Sequence, residues 1–233
     1  MTTTTRLRLV DTGEAADLAA FLVRLLRFDR AAAVRLQAVA AVGGAGGEGV
    51  LAVFGRLPLG GSGVLAIRTA RLAELDTPVD VTVSAGLLLD LVDETDGSFA
   101  VPAPVTGPAW AGLLPPRTGW QPAGEPSAHL VYPELMAAVR EFKERSEQVP
   151  AHHRTRQVLD QLADEIWTRP LGAAPELPLR AAHAAYVIGF LKPGAPLTVH
   201  RAGSWLRLSA PAGSVAVRRA AAPGAGLGLS PLI

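Results

Sequence analysis

Hydrophobic and polar residues follow two different periods in the first part of the chain. Residues 4–10 alternate polar and apolar side chains, which predicts a strand. Residues 14–28 carry apolar side chains at helical spacing, which predicts a helix with one buried stripe. The stripe consists of Leu18, Phe21, Leu22, Leu25 and Leu26. Asp11 or Thr12 is expected to cap this helix, because a short side-chain oxygen accepts a free amide of the first turn.

Short apolar runs separated by glycine-rich turns follow this helix. Three of these runs predict strands: residues 34–38, 50–54 and 64–72. Glycine favours such turns because it adopts positive φ angles without steric cost. A further strand at 79–83 leads through Ser84 into a helix near 85–92. Together these elements make up a predicted N-terminal module over residues 1–96.

Residues 97–127 differ from the rest of the chain because they are rich in proline. The prolines are Pro102, Pro104, Pro108, Pro115, Pro116, Pro122 and Pro126. Proline lacks an amide donor and therefore interrupts both helices and strands. We expect a long, mostly irregular connection here, which Trp110 and Trp120 hold to a folded surface.

Helical periodicity returns after the connection. The spacing predicts a helix that Pro133 opens, a helix over residues 155–168 and a third helix that Pro178 starts. A second meander follows, with strands at 197–201, 205–209 and 215–219. Residues 128–219 are therefore expected to form a helical segment plus a C-terminal meander, and residues 220–233 a flexible tail.

The two ends of the chain share one order of elements, a helix followed by three short strands. This order occurs over residues 14–72 and again over residues 178–219. The sequence thus predicts an α+β fold of two helix-plus-antiparallel-meander modules, joined by a proline-rich connection and a helical segment. An internal duplication and two unrelated units both explain the pattern. Because short meanders are marginal alone, the modules are expected to pack together.

Composition excludes several classes of protein. A net charge of +1 argues against a strongly basic nucleic-acid binder, although it leaves room for a local patch. The absence of cysteine excludes disulfides, thiolate metal sites and cysteine nucleophiles. Without a long apolar run or a signal-peptide pattern, we expect a cytoplasmic protein with no membrane partner. The preference for arginine over lysine resembles proteins from GC-rich genomes, such as actinobacterial ones.

No residue pattern indicates catalysis. Ser62 lacks the glycine spacing of a nucleophile elbow, and the glycine run at 43–49 lacks the lysine of a phosphate loop. The five histidines form no zinc-binding set, and His183 is expected to be hydrogen-bonded at a helix interface. We therefore predict no catalytic, cofactor-binding or metal-binding residue.

Charged residues are segregated along the chain. No basic residue lies between Arg71 and Arg117, and no acidic residue follows Glu176. The stretch between Arg71 and Arg117 therefore forms an acidic block, and the stretch after Glu176 forms a basic block. The basic block is expected to contact either the acidic block or an anionic partner.

Alternation in the C-terminal meander assigns its side chains to two faces. With the apolar residues facing the core, the opposite face carries His200, Trp205, Arg207 and Arg218. Such a surface is typical of protein interfaces and of surfaces that bind single-stranded nucleic acid. A third possibility is that the middle helices pack over this face and bury Trp205. We expect a protein partner at these four residues, with nucleic acid as an alternative partner.

Two apolar runs carry a resemblance to a known family. The runs Ala66–Ala70 and Val81–Val92 resemble part of a half-domain of bacterial DNA sliding clamps. The resemblance implies a βαβββ topology for residues 4–93 and supports an association with DNA. The helix near residue 85 carries Asp90, whereas the channel helices of clamps are basic, so no DNA-contacting residue is carried over.

Three functions follow from these patterns. The first is a non-enzymatic binding or scaffold protein that uses the open face of the C-terminal meander. The second is association with nucleic acid through the same face. The third is an enzyme with a small-molecule cleft under residues 97–127, walled by Trp110, Arg117 and Trp120.

Overall fold

A computed structural model describes residues 5–41, 47–59 and 63–219 of the chain. The expected tail at 220–233, Ser62 and most of the glycine run at 43–49 lie outside these residues. Among the described residues, no helix combines the length and hydropathy that a membrane crossing requires.

The described part of the first hundred residues forms strands and two helices. In chain order these are β1 (Arg6–Leu9), α1 (Thr12–Phe28), β2 (Ala33–Ala40), β3 (Gly49–Leu57), β4 (Val64–Glu74), β5 (Val79–Ser84), α2 (Ala85–Leu91), β6 (Val92–Asp93) and β7 (Ser98–Ala100). Asp11 caps α1 by accepting a hydrogen bond from the amide of Glu14, and Ser84 caps α2 by accepting one from the amide of Leu87. The predicted caps are therefore confirmed.

The remaining elements begin with a short 3₁₀ turn at Ala109–Gly112. They continue with β8 (Gln121–Gly124), α3 (Ala128–Gln148), a second 3₁₀ turn (Ala151–His153), α4 (Arg156–Trp167), β9 (Pro170–Leu171), β10 (Ala174–Pro178), α5 (Leu179–Val187), β11 (Thr198–Ala202), β12 (Trp205–Ala210) and β13 (Gly213–Arg218). The expectation that Pro133 opens a helix is wrong, because α3 starts at Ala128 and contains Pro133. The buried side chains of Ala128 and Val131 extend the apolar stripe towards the N-terminus, and their burial offsets the missing proline donor.

One antiparallel sheet runs through both meanders. Its strand order is β5-β2-β3-β4-β13-β12-β11-β8, with β1 paired to β4 and β7, and β6 paired to β7. The two meanders meet where β4 pairs with β13, with Ile67 opposite Ser214 and Leu65 opposite Ala216. The predicted α+β fold with two helix-plus-meander modules is thereby confirmed.

The helices lie on one face of this sheet and form the main core. Leu18, Leu22 and Leu25 of α1 are fully buried, as the helical stripe predicts. The two modules also meet within this core, where the rings of Phe21 and Phe190 stack with centroids 5.9 Å apart. The core is therefore continuous across the junction of the meanders.

A proline-rich strap, defined as residues 101–120, crosses the opposite face of the sheet. At one edge, the amide of Val105 donates a hydrogen bond to the carbonyl of Thr82 in β5. At the other edge, the chain enters β8, which pairs with β11. Between the edges, Trp110 and Leu114 pack against a second apolar cluster. That cluster consists of Phe54, Leu65, Ile67 and Ala216.

Candidate functional site

A cleft of about 240 Å³ lies between the strap and the sheet, and we call it the strap cleft. Its floor is apolar and comes from β2, β3 and β4, with Val39, Val50, Ala52, Phe54 and Ile67. Its rim contains Gln37, Thr69, Pro115, Pro116, Arg117, Trp120 and Arg207. The strap cleft therefore combines an apolar base with two arginines.

The apolar floor results from strand alternation. In β3, Leu51 and Val53 point into the helical core, so Val50 and Ala52 lie on the strap side. A solvated sheet face normally carries polar residues at such positions, yet Val50 is 36% exposed. The strap leaves this part of the apolar face accessible.

The strap wall of the cleft is held in place by its own hydrogen bond. The Nε1 atom of Trp120 donates to the carbonyl oxygen of Pro116, and the two atoms lie 2.8 Å apart. Adjacent prolines at 115 and 116 restrict the backbone φ angles of the same turn. Because this wall is already ordered before a ligand binds, less conformational entropy is lost on binding.

Arg207 forms the polar end of the cleft. The side chain projects from β12, and its guanidinium carbon lies 4.1 Å from the centroid of the Trp120 ring, in a cation–π contact. Its Nε atom is buried without a hydrogen-bond partner, and no carboxylate among the described residues pairs with it. Burial lowers the pKa of Arg207, but an arginine remains protonated at neutral pH. The cleft therefore contains a half-buried positive charge without a counter-charge.

Arg117 carries a second positive charge at the rim. Burial of Asp80 opposes its ionisation, but hydrogen bonds from Arg35 and Gln37 and the charge of Arg117 together lower its pKa. The Nε atom of Arg35 lies 2.7 Å from the Oδ1 atom of Asp80, so this carboxylate already has a close partner. The exposed guanidinium of Arg117 is left available to a ligand.

The four predicted partner-binding residues lie on one face of the sheet, but they are partly covered. The register places His200 opposite Arg207 and Trp205 opposite Arg218. Trp205 is half-buried against the second apolar cluster, while Arg218 is exposed and donates from Nε to the Oγ atom of Ser204. His200 is half-buried, and its Nδ1 atom has no partner among the described residues. Only Arg207 of these four lines the strap cleft.

The segment that packs over the face of Trp205 is the strap and not the middle helices. The sequence left open that the middle helices cover Trp205, whereas the strap lies on this face and the helices lie on the other. The physical reason is that Trp110 and Leu114 find apolar partners there, which stabilises the strap against the sheet.

The three predicted pocket residues separate into two cavities. Arg117 and Trp120 line the strap cleft. Trp110 lines a different cavity of about 670 Å³, together with Phe28 and Ser84. Sequence reasoning missed the floor residues, although two valines at the outward positions of neighbouring strands were a signal for an apolar surface there.

The chemistry of the strap cleft favours binding. Its polar side-chain groups are one amide, one hydroxyl, two guanidinium groups and the indole N–H of Trp120, which already donates to Pro116. Within the described part of the chain, no three histidine, aspartate or glutamate side chains are grouped as metal ligands. Such a cleft can hold an apolar body and pair with an anionic group.

Comparison with known proteins divides the chain within the strap. Residues 2–112 match a family described as Domain of unknown function (DUF8010), and residues 115–222 match one described as Domain of unknown function (DUF8185). No curated protein matches the chain. The cleft floor comes from the first matched region, and Trp120 and Arg207 come from the second. The chain is thus similar to DUF8010 in its N-terminal half and to DUF8185 in its C-terminal half.

Proposed function

We propose that this protein is a non-enzymatic binding protein that holds a small amphiphilic anion in the strap cleft. The observation that carries the proposal is the half-buried guanidinium of Arg207, which has no carboxylate partner among the described residues. The cytoplasmic location expected from the sequence is part of this proposal.

The argument for an anion rests on desolvation. Removing a charged group from water costs free energy unless another charge or a hydrogen bond compensates for the lost hydration. The contact between Arg207 and the Trp120 ring compensates only the face of the guanidinium. A carboxylate, sulfonate or phosphate would accept hydrogen bonds at the guanidinium edge, and such charge-assisted bonds are strong.

The argument for an apolar body rests on the floor and the size of the cleft. Val39, Val50 and Ala52 present methyl groups to a ligand, and the Trp120 ring forms one wall. Burial of apolar surface against these groups favours binding. The volume of about 240 Å³ is slightly below the range of about 300–1,000 Å³ for drug-sized ligands. A small amphiphile therefore fits better than a macromolecular segment.

The proposed site lies on the sheet face that the sequence analysis singled out, but its proposed partner is a small molecule in place of a protein or a nucleic acid. A protein or nucleic-acid partner would need a broad, accessible face, but the strap covers the centre of this one. The proposed ligand uses the space beside the strap.

A pair of fluorescent probes tests the proposal. Anilinonaphthalene sulfonate is an apolar ring system with one anionic group, and N-phenylnaphthylamine is a similar ring system without it. Arg207→Gln should weaken sulfonate binding by about tenfold, the loss typical of one charge-assisted hydrogen bond, and should leave binding of the neutral probe unchanged. Arg117→Gln should weaken sulfonate binding less, since Arg117 is exposed.

The matched control is Arg27→Gln, which removes an exposed arginine of α1 outside the strap cleft. It should bind both probes as the wild type does, and circular dichroism should show that all variants are folded. Equal sulfonate affinity in the wild type and Arg207→Gln would contradict the proposal.

A further inference from the structure

A second cavity of about 300 Å³ lies where β13 ends and α5 begins, and we call it the arginine cavity. Three arginines line it, namely Arg180, Arg218 and Arg219. Glu176 is the one carboxylate among its lining residues. The cavity is separate from the strap cleft, because the two share no lining residue.

The carboxylate of Glu176 has another cation beside it. Its Oε1 atom lies 3.7 Å from the Nη1 atom of Arg201, a residue outside the cavity lining. Within the described residues, none of the three cavity arginines forms a salt bridge. The sequence contains no acidic residue after Glu176, so this part of the chain supplies no further counter-charge. The cavity therefore has an excess of positive charge.

Arg180 is the most enclosed of the three arginines. It is the second residue of α5 and is half-buried, and its Nε atom is buried without a hydrogen-bond partner among the described residues. Pro178 occupies the N-cap position of α5 and provides no side-chain cap. The N-terminal turn of α5 adds partial positive charge on the same side as Arg180.

Backbone and side-chain hydrogen bonds hold the other two arginines near this site. The amide of Arg219 donates to the carbonyl of Ser204 over 2.8 Å, and the Nε atom of Arg218 donates to the Oγ atom of the same serine over 3.3 Å. These bonds attach the end of β13 to the turn between β11 and β12. The backbone that carries both arginines is therefore ordered at the edge of the cavity.

We propose that the arginine cavity binds the phosphate group of a ligand. Phosphate offers several acceptor oxygens and up to two negative charges, and these suit a cavity lined by arginines without carboxylate partners among the described residues better than the single charge of a carboxylate does. The phosphate group can belong to a small soluble molecule or to the backbone of a nucleic acid, and the recognition chemistry is the same.

Isothermal titration calorimetry with inorganic pyrophosphate tests this proposal in a buffer of low ionic strength. We expect the wild type to bind pyrophosphate and Arg180→Gln to bind it about tenfold more weakly, the loss typical of one charge-assisted hydrogen bond. Arg219→Gln provides a second variant at an exposed position, where a change of fold is not expected. Its affinity should also fall. Arg27→Gln in α1 is the matched control and should bind as the wild type does.

A second titration with a single-stranded oligothymidylate distinguishes the two sources of phosphate. Tighter binding of the oligonucleotide, weakened by Arg180→Gln and by added salt, would support the proposal and identify a nucleic-acid backbone. Binding of pyrophosphate alone would support it with a small soluble ligand. The proposal would be overturned by the absence of pyrophosphate binding, or by equal affinity for pyrophosphate in Arg180→Gln and the wild type.

Discussion

At the scale of single residues, His183 is the clearest case of a polar side chain enclosed by apolar surroundings. Its ring stacks on that of Trp167, with centroids 4.1 Å apart and an interplanar angle of 12°. The expectation of a hydrogen-bonded histidine is wrong for one ring nitrogen, because Nδ1 is buried without a partner among the described residues. The alanines around it in α5 provide no side-chain acceptor.

Burial lowers the pKa of His183 from 6.5 to about 4, and this predicts a loss of stability in acid. Between these two values the unfolded chain binds a proton that the folded protein does not, so the free energy of unfolding falls as the pH decreases. Near pH 5 the loss relative to pH 7 should be about 2 kcal/mol, measured by urea unfolding.

The variant His183→Phe keeps the stacked ring and removes the titrating group. The decrease in its free energy of unfolding between pH 7 and pH 5 should be smaller than that of the wild type by about 2 kcal/mol. His129→Gln, at an exposed position of α3, is the control and should keep the wild-type dependence. An unchanged pH dependence in His183→Phe would show that other groups account for the acid effect.

At the scale of elements, the strap determines which part of the second sheet face is accessible. Trp110 and Leu114 pack over Phe54 and Ile67, while Pro115 and Trp120 wall the strap cleft. Proline-rich chain suits this role because it makes few backbone hydrogen bonds of its own, so side-chain contacts are expected to position it.

The variant Trp110→Ala should release the strap while the sheet and helices stay folded. Complete truncation of a core tryptophan costs about 3–5 kcal/mol, and we expect about 2 kcal/mol here because Trp110 is only half-buried. Hydrogen exchange measured by mass spectrometry should increase over residues 101–120.

Leu113→Ala is the control within the same strap, because Leu113 is 47% exposed. It should change hydrogen exchange little. If Trp110→Ala also leaves exchange over the strap unchanged, this tryptophan does not hold the strap to the sheet.

At the scale of the whole molecule, the two modules form a single sheet and share one core. The pairing of β4 with β13 and the stacking of Phe21 on Phe190 both cross the junction. Arg68 of β4 adds a polar link, since it donates to the carboxylate of Asp17 in α1 and to the carbonyl of Ala212 near β13. The exposed edge and apolar faces of a separated module would be unfavourable in water.

Fragments cut within the strap test this interdependence. We expect the fragments 1–112 and 113–233 to be unfolded or aggregated when expressed alone, and to regain the native circular dichroism spectrum when expressed together. Size-exclusion chromatography should show a one-to-one complex. A fragment that is folded and monomeric by itself would contradict this prediction.

The local patterns of the sequence predicted much of this structure. Helical spacing identified the buried stripe of α1, and alternation placed Trp205 and Arg207 on the same face of the meander. The composition of residues 97–127 also singled out the prolines and tryptophans of the connection. These features depend on neighbouring residues, whose positions in a helix or strand follow from backbone geometry.

Only the tertiary structure decided which edges pair and what covers each face. Ile67 and Ser214 are far apart in the sequence, and no local period indicates that their strands are neighbours. The meeting of Trp120 with Arg207 likewise depends on the path of the strap across the sheet. Local sequence determines the faces of each element, whereas contacts between distant segments create the cavities, because burial is optimised over the whole chain.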